Sequence, residues 1–254
     1  MKIVIDAGHG PETPGKRSPD GSLREYQFNS AVVQYLADEL LHKYEGVEIL
    51  FTHDDSRDVP LKERTDRANA WGADLFVSIH ANAAGNGGWS SAEGIETFVY
   101  KTFPQKAVAV AAAVQNQLVK ATGRRDRGVK AADFHVLRET RMTAILVECG
   151  FMTHRQECEL LKSEAYRQTC AAAIAAGIAE VYGLRRKKAE SSTSPSDHPK
   201  VSGTARVLVN DQDIGIGYLI DGRTYVPLRA VGEALGLQVS WEQSTKTASL
   251  KGGG

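Results

Sequence analysis

The sequence predicts an α/β fold: a mostly parallel twisted sheet flanked by helices on both faces, with a small α+β module after a flexible linker. Short apolar runs of strand length alternate with longer stretches whose apolar residues recur at helical spacing, the pattern of βα units that build a parallel sheet. Three runs end in a polar residue: Ile3-Val4-Ile5-Asp6-Ala7-Gly8 leads to His9, Leu75-Phe76-Val77-Ser78-Ile79 to His80, and Ala144-Ile145-Leu146-Val147 to Glu148. Chemistry in open α/β sheets collects beyond the carboxyl ends of the strands, so two imidazoles and a carboxylate are expected at one edge. After Leu184 the composition shifts abruptly to Arg185-Arg186-Lys187-Lys188 and a Ser/Thr/Pro run, too polar to bury a core.

Taken in order, Lys2 to Ala7 is the first strand, and the Gly/Pro-rich loop from Gly8 to Gly21 breaks regular structure. Ser22-Leu23-Arg24-Glu25 fits a capping box, and Phe28, Val32, Val33, Leu36, Leu40 and Leu41 continue a helix. Val47 to Thr52 reads as a strand, Pro60 opens a helix through Trp71 that Gly72 stops, and Leu75 to Ile79 is the central strand. Ile95 to Tyr100 alternates like a half-exposed strand, and an Ala/Val helix from Gln105 to Ala121 ends at Gly123. Arg124 to Thr140 reads as an irregular stretch followed by a short strand at Phe134-His135-Val136-Leu137. Ala144 to Glu148 is the last core strand, and helices near Gln156 to Leu161 and Glu164 to Tyr182 close the domain. The expected divisions are a main domain over 1–184, a Ser/Pro/basic linker over 185–203 and a small module over 204–251. In that module Ala205 to Val209, Thr224 to Val226, Leu237 to Trp241 and Thr247 to Leu250 read as strands, with turns at Asn210-Asp211 and Asp221-Gly222 and a helix from Pro227 to Leu235.

A chain of 254 residues at 42% hydrophobic composition buries one full core and carries a smaller appendage. Its formal net charge of +0 supplies no overall field for nucleic acid. Cys149, Cys158 and Cys170 have no CxxC spacing and read as small buried residues made in a reducing cytosol. Lys2 enters a core strand with no basic, apolar and small-residue export pattern before it. The Ala-rich helix around Ala171 to Ile178, broken by Gly177, falls short of the ~18 apolar residues of a membrane span. The expectation is a soluble protein made in the cytoplasm without a signal peptide; any action outside the membrane then requires release by another route. The basic run at Arg185 to Lys188 has two readings, favourable closure of the preceding helix dipole and attraction to anionic polymers.

Each site residue has an ordinary explanation beside the chemical one. A histidine after a strand can be a hydrogen-bonded loop residue, but two at equivalent strand ends point to ligands; Asp6 or Asn82 could orient an imidazole through its second nitrogen. Glu25 is explained equally by the capping box or by metal, and it cannot serve both well. Glu148, set between Val147 and Cys149-Gly150-Phe151, requires a partner or a raised pKa. It is either a general base or half of a buried ion pair with Arg127 or Arg141. Two histidines and one carboxylate make a zinc site with one position open to water; zinc acidifies that water and polarises a carbonyl while a nearby Glu moves the proton. The chemistry implied is hydrolysis of an amide or ester. The loop at Gly85, Gly87, Gly88 and Trp89 is expected to form a flap beside this site.

Ile5-Asp6-Ala7-Gly8-His9-Gly10, Glu25 followed by Asn29, Ser78-Ile79-His80-Ala81-Asn82, Arg127-Gly128-Val129 and Leu146-Val147-Glu148-Cys149-Gly150-Phe151 together resemble the zinc-dependent N-acetylmuramoyl-L-alanine amidases of the type 3 family, in the family's order over residues 1–183. The resemblance implies one Zn2+ held by His9, Glu25 and His80, with Glu148 as catalytic acid and base. Asp6, Asn82 and Arg127 stand as candidates for supporting the ligands or contacting substrate, and the resemblance implies that the substrate is peptidoglycan, cut between the muramic acid lactyl group and L-alanine. Departures from the pattern are Pro11, Thr143 and His154, the last able to add a polar contact near Glu148. The C-terminal unit, through Val209-Asn210, Asp221 to Arg229, Ala234-Leu235-Gly236 and Val239-Ser240-Trp241, resembles the stalk-like module named after the copper amine oxidase N-terminus. It implies a wall-binding role, with Tyr225 and Trp241 either core residues or sugar-stacking contacts. Without a signal, a wall-lytic enzyme of this kind fits a phage endolysin or an autolysin freed when a mother cell lyses. The rival expectations are a zinc peptidase or carboxypeptidase on the stem peptide, and a non-catalytic wall-binding protein.

Overall fold

The computed structural model describes residues 1–187, 201–220, 223–242 and 247–252. The chain divides into two compact units, Met1–Lys187 and Lys188–Gly254. The first contains β1 (Lys2–Ala7), α1 (Glu25–Lys43), β2 (Glu48–Phe51), α2 (Leu61–Trp71), β3 (Leu75–Asn82), β4 (Ile95–Tyr100), α3 (Gln105–Thr122), β5 (Asp126–Ala132), α4 (His135–Arg138), β6 (Thr143–Phe151), α5 (Arg155–Lys162) and α6 (Glu164–Tyr182). Its six strands form one sheet in the order β2-β1-β3-β6-β4-β5. All neighbours are parallel except β4 and β6, which run antiparallel.

The pleat sorts the core into two layers. Ile3, Ile5, Val77, Ile79, Ile145 and Val147 face one side, with Phe28, Val32 and Leu36 of α1, Val110 and Val114 of α3, and Ile174 and Ile178 of α6. Val4, Phe76, Ala144 and Leu146 face the other, with Ala68 of α2 and Val136 and Leu137 of α4. Alternation of side chains along a strand places Asp6, Ser78, His80 and Glu148 on this second face. Among the described residues only α2 and the single turn of α4 cover it, which leaves room for a cavity over the strand ends. Gly177 lets α6 approach α3 closely, since a Cβ there would stand 2.6 Å from Val114 Cα.

Three local expectations are corrected. Helix α1 begins at Glu25, not at Ser22: Arg24 is its N-cap, and the Arg24 N–H donates to Gln27 Oε1 at 3.0 Å. Ser22 Oγ instead donates to Asp20 Oδ1 at 2.8 Å, so the capping explanation of Glu25 falls away. Residues 126–132 are strand, not irregular. Gly128, at φ +77°, lies where the register with β4 shifts, and its N–H donates to Asp126 Oδ1, so the glycine accommodates a bulge and does not break the strand. Residues 135–138 form helix, where a strand was expected; a single turn is too short for its period to be read.

Arg185 to Lys187, expected as the start of the linker, pair with the end of α1: Arg186 bridges Tyr44, Lys187 N–H donates to Lys43 O at 2.9 Å, and Lys187 Nζ donates to Leu41 O. Cys149, Cys158 and Cys170 are buried and free. The second unit contains β7 (Val201–Val209), β8 (Gln212–Ile220), β9 (Arg223–Tyr225), α7 (Leu228–Ala234), β10 (Leu237–Glu242) and β11 (Thr247–Gly252). Strands β7-β8-β9 form one antiparallel sheet and β10-β11 a separate pair. Strand β8 was not anticipated, although the turn before it was: Asn210 and Asp211 both take positive φ, the primed turn suited to hairpins. Tyr225 and Trp241 are 50% and 55% exposed, which sets aside their reading as core residues. The Asp221-Gly222 turn and residues 188–200 of the expected linker lie outside the described residues.

Candidate metal centre and catalytic site

Strand pairing brings the three strand ends together. Val77 and Ile79 of β3 lie beside Ile5 and Ala7 of β1, and His80 is the register partner of Glu148 on β6. Glu25, first residue of α1, reaches the same point from above the loop, with its N–H on Lys16 O at 2.9 Å. Glu25 Oε2 lies 3.2 Å from His9 Nε2, and Glu25 Oε1 lies 2.9 Å from His80 Nδ1. One donor atom from each of His9, Glu25 and His80 falls within 4.8 Å of the others. Burial works against the Glu25 charge, but hydrogen bonds from His80 and His9 and their charges hold its carboxyl well below the usual range. Burial likewise opposes the His80 cation, and the Glu25 hydrogen bond and charge reverse the balance, raising its pKa.

This cluster is held by its surroundings. His9 has a φ of +63°, a left-handed conformation rare for residues other than glycine. The buried Arg64 of α2 fixes it: Nη2 donates to His9 O at 2.8 Å, Nη1 to Ala7 O and to Asp6 Oδ1, and Nε to Val59 O. Asp6 also accepts from Thr52 Oγ1 at 2.8 Å and Ser78 Oγ at 2.7 Å. Burial raises the Asp6 pKa, but Arg64, Ser78 and Thr52 outweigh it and keep the carboxyl low. Ser78 Oγ lies 3.1 Å from His80 Nε2. A serine that donates to Asp6 can accept from Nε2–H, which directs Nδ1 to the side of Glu25 and His9. Asp6 therefore reaches the imidazole through Ser78 and not directly. Gly8 completes the cradle, because a Cβ on it would stand 2.1 Å from His80 Cε1.

Glu148 is half-buried, and its Oε2 is shielded from solvent without a hydrogen-bond partner among the described residues. Burial pushes its carboxyl up to about 8; His80 and Lys16 pull it down, and the charges of Glu25 and Glu96 push it further up. The buried ion pair considered for Glu148 is absent among the described residues. Arg127 donates through Nε to Glu96 Oε2 at 2.6 Å and stacks over the Phe151 ring at 4.8 Å. Asn82 does not orient an imidazole either, since its Nδ2 donates to Glu96 Oε1 at 2.7 Å. Glu96, which also accepts from Lys130 Nζ, is the register neighbour of Glu148 on β4. Asn82 and Arg127 thus act on Glu96, whose strand β4 lies two strands from β3 in the sheet.

His9, Glu25, His80 and Glu148 all line one cavity of about 580 Å³, walled by Val59, Leu61, Phe134 and Leu146. The expected flap residue Trp89 is not among its lining residues; it packs against the core beneath Arg155, 4.5 Å from the ring centroid. His154 caps α5, its Nδ1 accepting from the Glu157 N–H. Ser78, Arg64 and Glu96 were missed at the sequence level. A serine and a glutamate inside otherwise apolar strands were the available signals for two of them; nothing in α2 distinguished Arg64 from its exposed neighbours.

Two nitrogen donors and one carboxylate at this spacing, under a protonatable glutamate with an unpaired oxygen, are the parts of a metal-assisted hydrolase. Within that class the chain belongs to the N-acetylmuramoyl-L-alanine amidase family, whose profile matches residues 3–180. Residues 208–254 match the copper amine oxidase N-terminal domain. The chain is 36% identical over 189 residues to N-acetylmuramoyl-L-alanine amidase CwlM of Bacillus licheniformis, covering 74% of this chain and 72% of that protein. It is 34% identical over 218 residues to the endolysin of Bacillus phage SPP1, covering 84% and 78% respectively. Among solved structures, the N-acetylmuramoyl-L-alanine amidase of Clostridium difficile 630 superposes with a TM-score of 0.68 at 34% identity, over 72% of this chain and 97% of that one.

Proposed function

We propose that the protein is a zinc-dependent N-acetylmuramoyl-L-alanine amidase that lyses cell walls by cutting peptidoglycan between the muramic acid lactyl group and L-alanine. The observation that carries it is the pairing of the three-donor cluster with Glu148, whose Oε2 has no partner among the described residues, in one cavity. His9, Glu25 and His80 fit zinc by donor type and mutual distance. When bound, zinc supplies Lewis acidity towards a carbonyl and makes water a stronger acid.

The chain's own residues do the rest. Glu148 takes the proton of the attacking water and gives it to the nitrogen of the departing alanine. A carboxyl whose pKa is raised towards neutrality suits both transfers, since its ionised form is a stronger base towards water and the acid it becomes can protonate the departing nitrogen. Glu96, fixed by Asn82, Arg127 and Lys130, keeps the neighbouring strand position charged and polar without approaching the metal donors. Val59, Leu61 and Phe134 offer an apolar wall for the sugar and lactyl group.

The C-terminal unit contributes wall contact through the exposed Tyr225 and Trp241. Among the described residues no helix is long and apolar enough to cross a membrane; the similarity to a phage endolysin supports action on the wall at lysis. Digestion of purified walls by zinc-loaded protein tests the reading. New N-terminal L-alanine without new reducing ends, abolished by a chelator, is expected. New amino groups at another stem position would make the protein a peptidase, and wall binding without cleavage would make it a non-catalytic binder.

A further inference from the structure

Beside the catalytic cavity lies a second one of about 360 Å³, lined by Glu12, Thr13, Pro14, Gly15, Lys16, Arg17 and Arg24. Thr13 and Lys16 line both cavities, so the two adjoin. The lining carries three cations against the single carboxylate of Glu12. Among the described residues Lys16 and Arg17 form no side-chain hydrogen bond or ion pair, and Arg24 uses only Nη1, on Pro11 O.

The loop presenting these cations is built, not draped. Thr13 Oγ1 donates to Asp58 Oδ2 at 2.6 Å and accepts from the Gly10 N–H, and the Glu12 N–H donates to Asp58 Oδ1. Arg17 and Arg24 bridge across the loop, Ser18 N–H donates to Leu23 O at 2.8 Å, and Lys16 O receives the Glu25 N–H. Lys16 is therefore tied through its own backbone to a residue of the metal cluster. Lys16 and Arg17 are both exposed on this loop, so their charged ends are open to a ligand. The Lys16 ammonium, without a hydrogen bond or ion pair among the described residues and near enough for its charge to act on Glu148, stands where the cavities adjoin and suits an anion brought in by the substrate.

We infer that Lys16, with Arg17 beside it, forms a carboxylate subsite that receives the stem peptide on the leaving-group side of the cleaved amide. The inference rests on the amidase reading for its ligand. The nitrogen released belongs to L-alanine, whose peptide continues into a γ-linked D-glutamate with a free α-carboxylate. The apolar wall at Val59, Leu61 and Phe134 then takes the sugar side, and the basic seam takes the peptide side. The subsite discriminates a free α-carboxylate from its amide, a difference of one charge at one atom. A hydrogen bond to a charged group is strong enough for roughly tenfold discrimination.

The test uses the zinc-loaded full chain and two product dipeptides, L-alanyl-D-glutamate and L-alanyl-D-isoglutamine, each blocked as the γ-methylamide. Binding is read by resonance shifts on titration. The free acid is expected to bind about tenfold more tightly than the amide, Lys16→Met to erase the difference, and Lys16→Arg to restore it. Equal affinities in the wild type, or an equal loss for both peptides in Lys16→Met, would overturn the subsite. So would competition by glycerol phosphate as strong as that of the free acid, which would make the seam a general anion patch. Cleavage of N-acetylmuramoyl-L-alanyl-D-glutamate is measured separately. Its failure would count against the amidase reading, while the binding comparison still decides the subsite.

Discussion

His80 and Glu148 are register partners at the ends of adjacent parallel strands β3 and β6, so a donor of the metal cluster and an unpaired carboxyl stand side by side in one cavity. Glu148→Gln keeps the shape and removes the proton exchange. Loss of a positioned acid and base costs about 10²- to 10⁴-fold. The expected outcome is a fall of that size in release of N-terminal alanine, with zinc content by elemental analysis unchanged. Wild-type cleavage by the variant would remove Glu148 from the reaction.

The same residue sets a pH dependence of stability in metal-free protein. Its carboxyl rises from the ordinary 4.5 to about 8 on folding. A group with a raised folded-state pKa contributes stability in full below its unfolded value and loses that contribution as pH rises through its folded value. Metal-free wild type should therefore weaken, relative to Glu148→Gln, between about pH 4.5 and pH 8, the two values that bound the shift. Urea unfolding of both proteins at pH 4 and pH 9 checks this. The gap should favour the variant at pH 9 and be smallest at pH 4, and an unchanged gap would show that Glu148 is not desolvated in the fold.

Ser78 links His80 Nε2 to Asp6, at 3.1 Å and 2.7 Å, and so selects which imidazole nitrogen is available. Removal of such a partner lowers metal affinity by roughly 10- to 100-fold. Ser78→Ala is expected to show that loss in a zinc competition titration. Thr52→Val removes another donor to the same Asp6 without touching the imidazole, and should leave zinc affinity near wild type. Equal losses in both variants would mean that Asp6 acts on the fold alone.

The extent to which the sequence foretold this site follows from how its parts are encoded. His9, His80 and Glu148 end apolar runs, and a strand period of two is short enough to read within six residues. Glu25 was ambiguous because Ser22 and Glu25 have capping-box spacing; the helix instead starts one residue after Arg24, a boundary that spacing alone does not fix. Arg127 and Asn82 were drawn towards Glu148 and the histidines because they are near them in motif, whereas strand order makes Glu96 their partner. That order is long-range information: β4 follows β3 in the chain but lies beyond β6 in the sheet. Arg64 was invisible for a related reason, since its partners Asp6, Ala7 and His9 are more than fifty positions away.

Gly8 provides the sharpest steric prediction. A Cβ at this position would stand 2.1 Å from Cε1, 2.3 Å from Nε2 and 2.5 Å from Nδ1 of His80, far inside contact distance. The backbone cannot easily retreat, because the Gly8 N–H donates to Ile79 O at 3.0 Å and its carbonyl accepts from Asn29 Nδ2 at 2.9 Å. The ring must therefore turn, breaking its contacts with Glu25 and Ser78 together. Gly8→Ala is expected to remain folded, as most of the core lies away from this loop, and to lose zinc affinity by more than the roughly 100-fold upper end for loss of a supporting partner alone. Zinc titration beside a thermal unfolding curve separates the two effects. A folded Gly8→Ala protein that binds zinc as tightly as wild type would show that His80 does not need the space that this glycine leaves open.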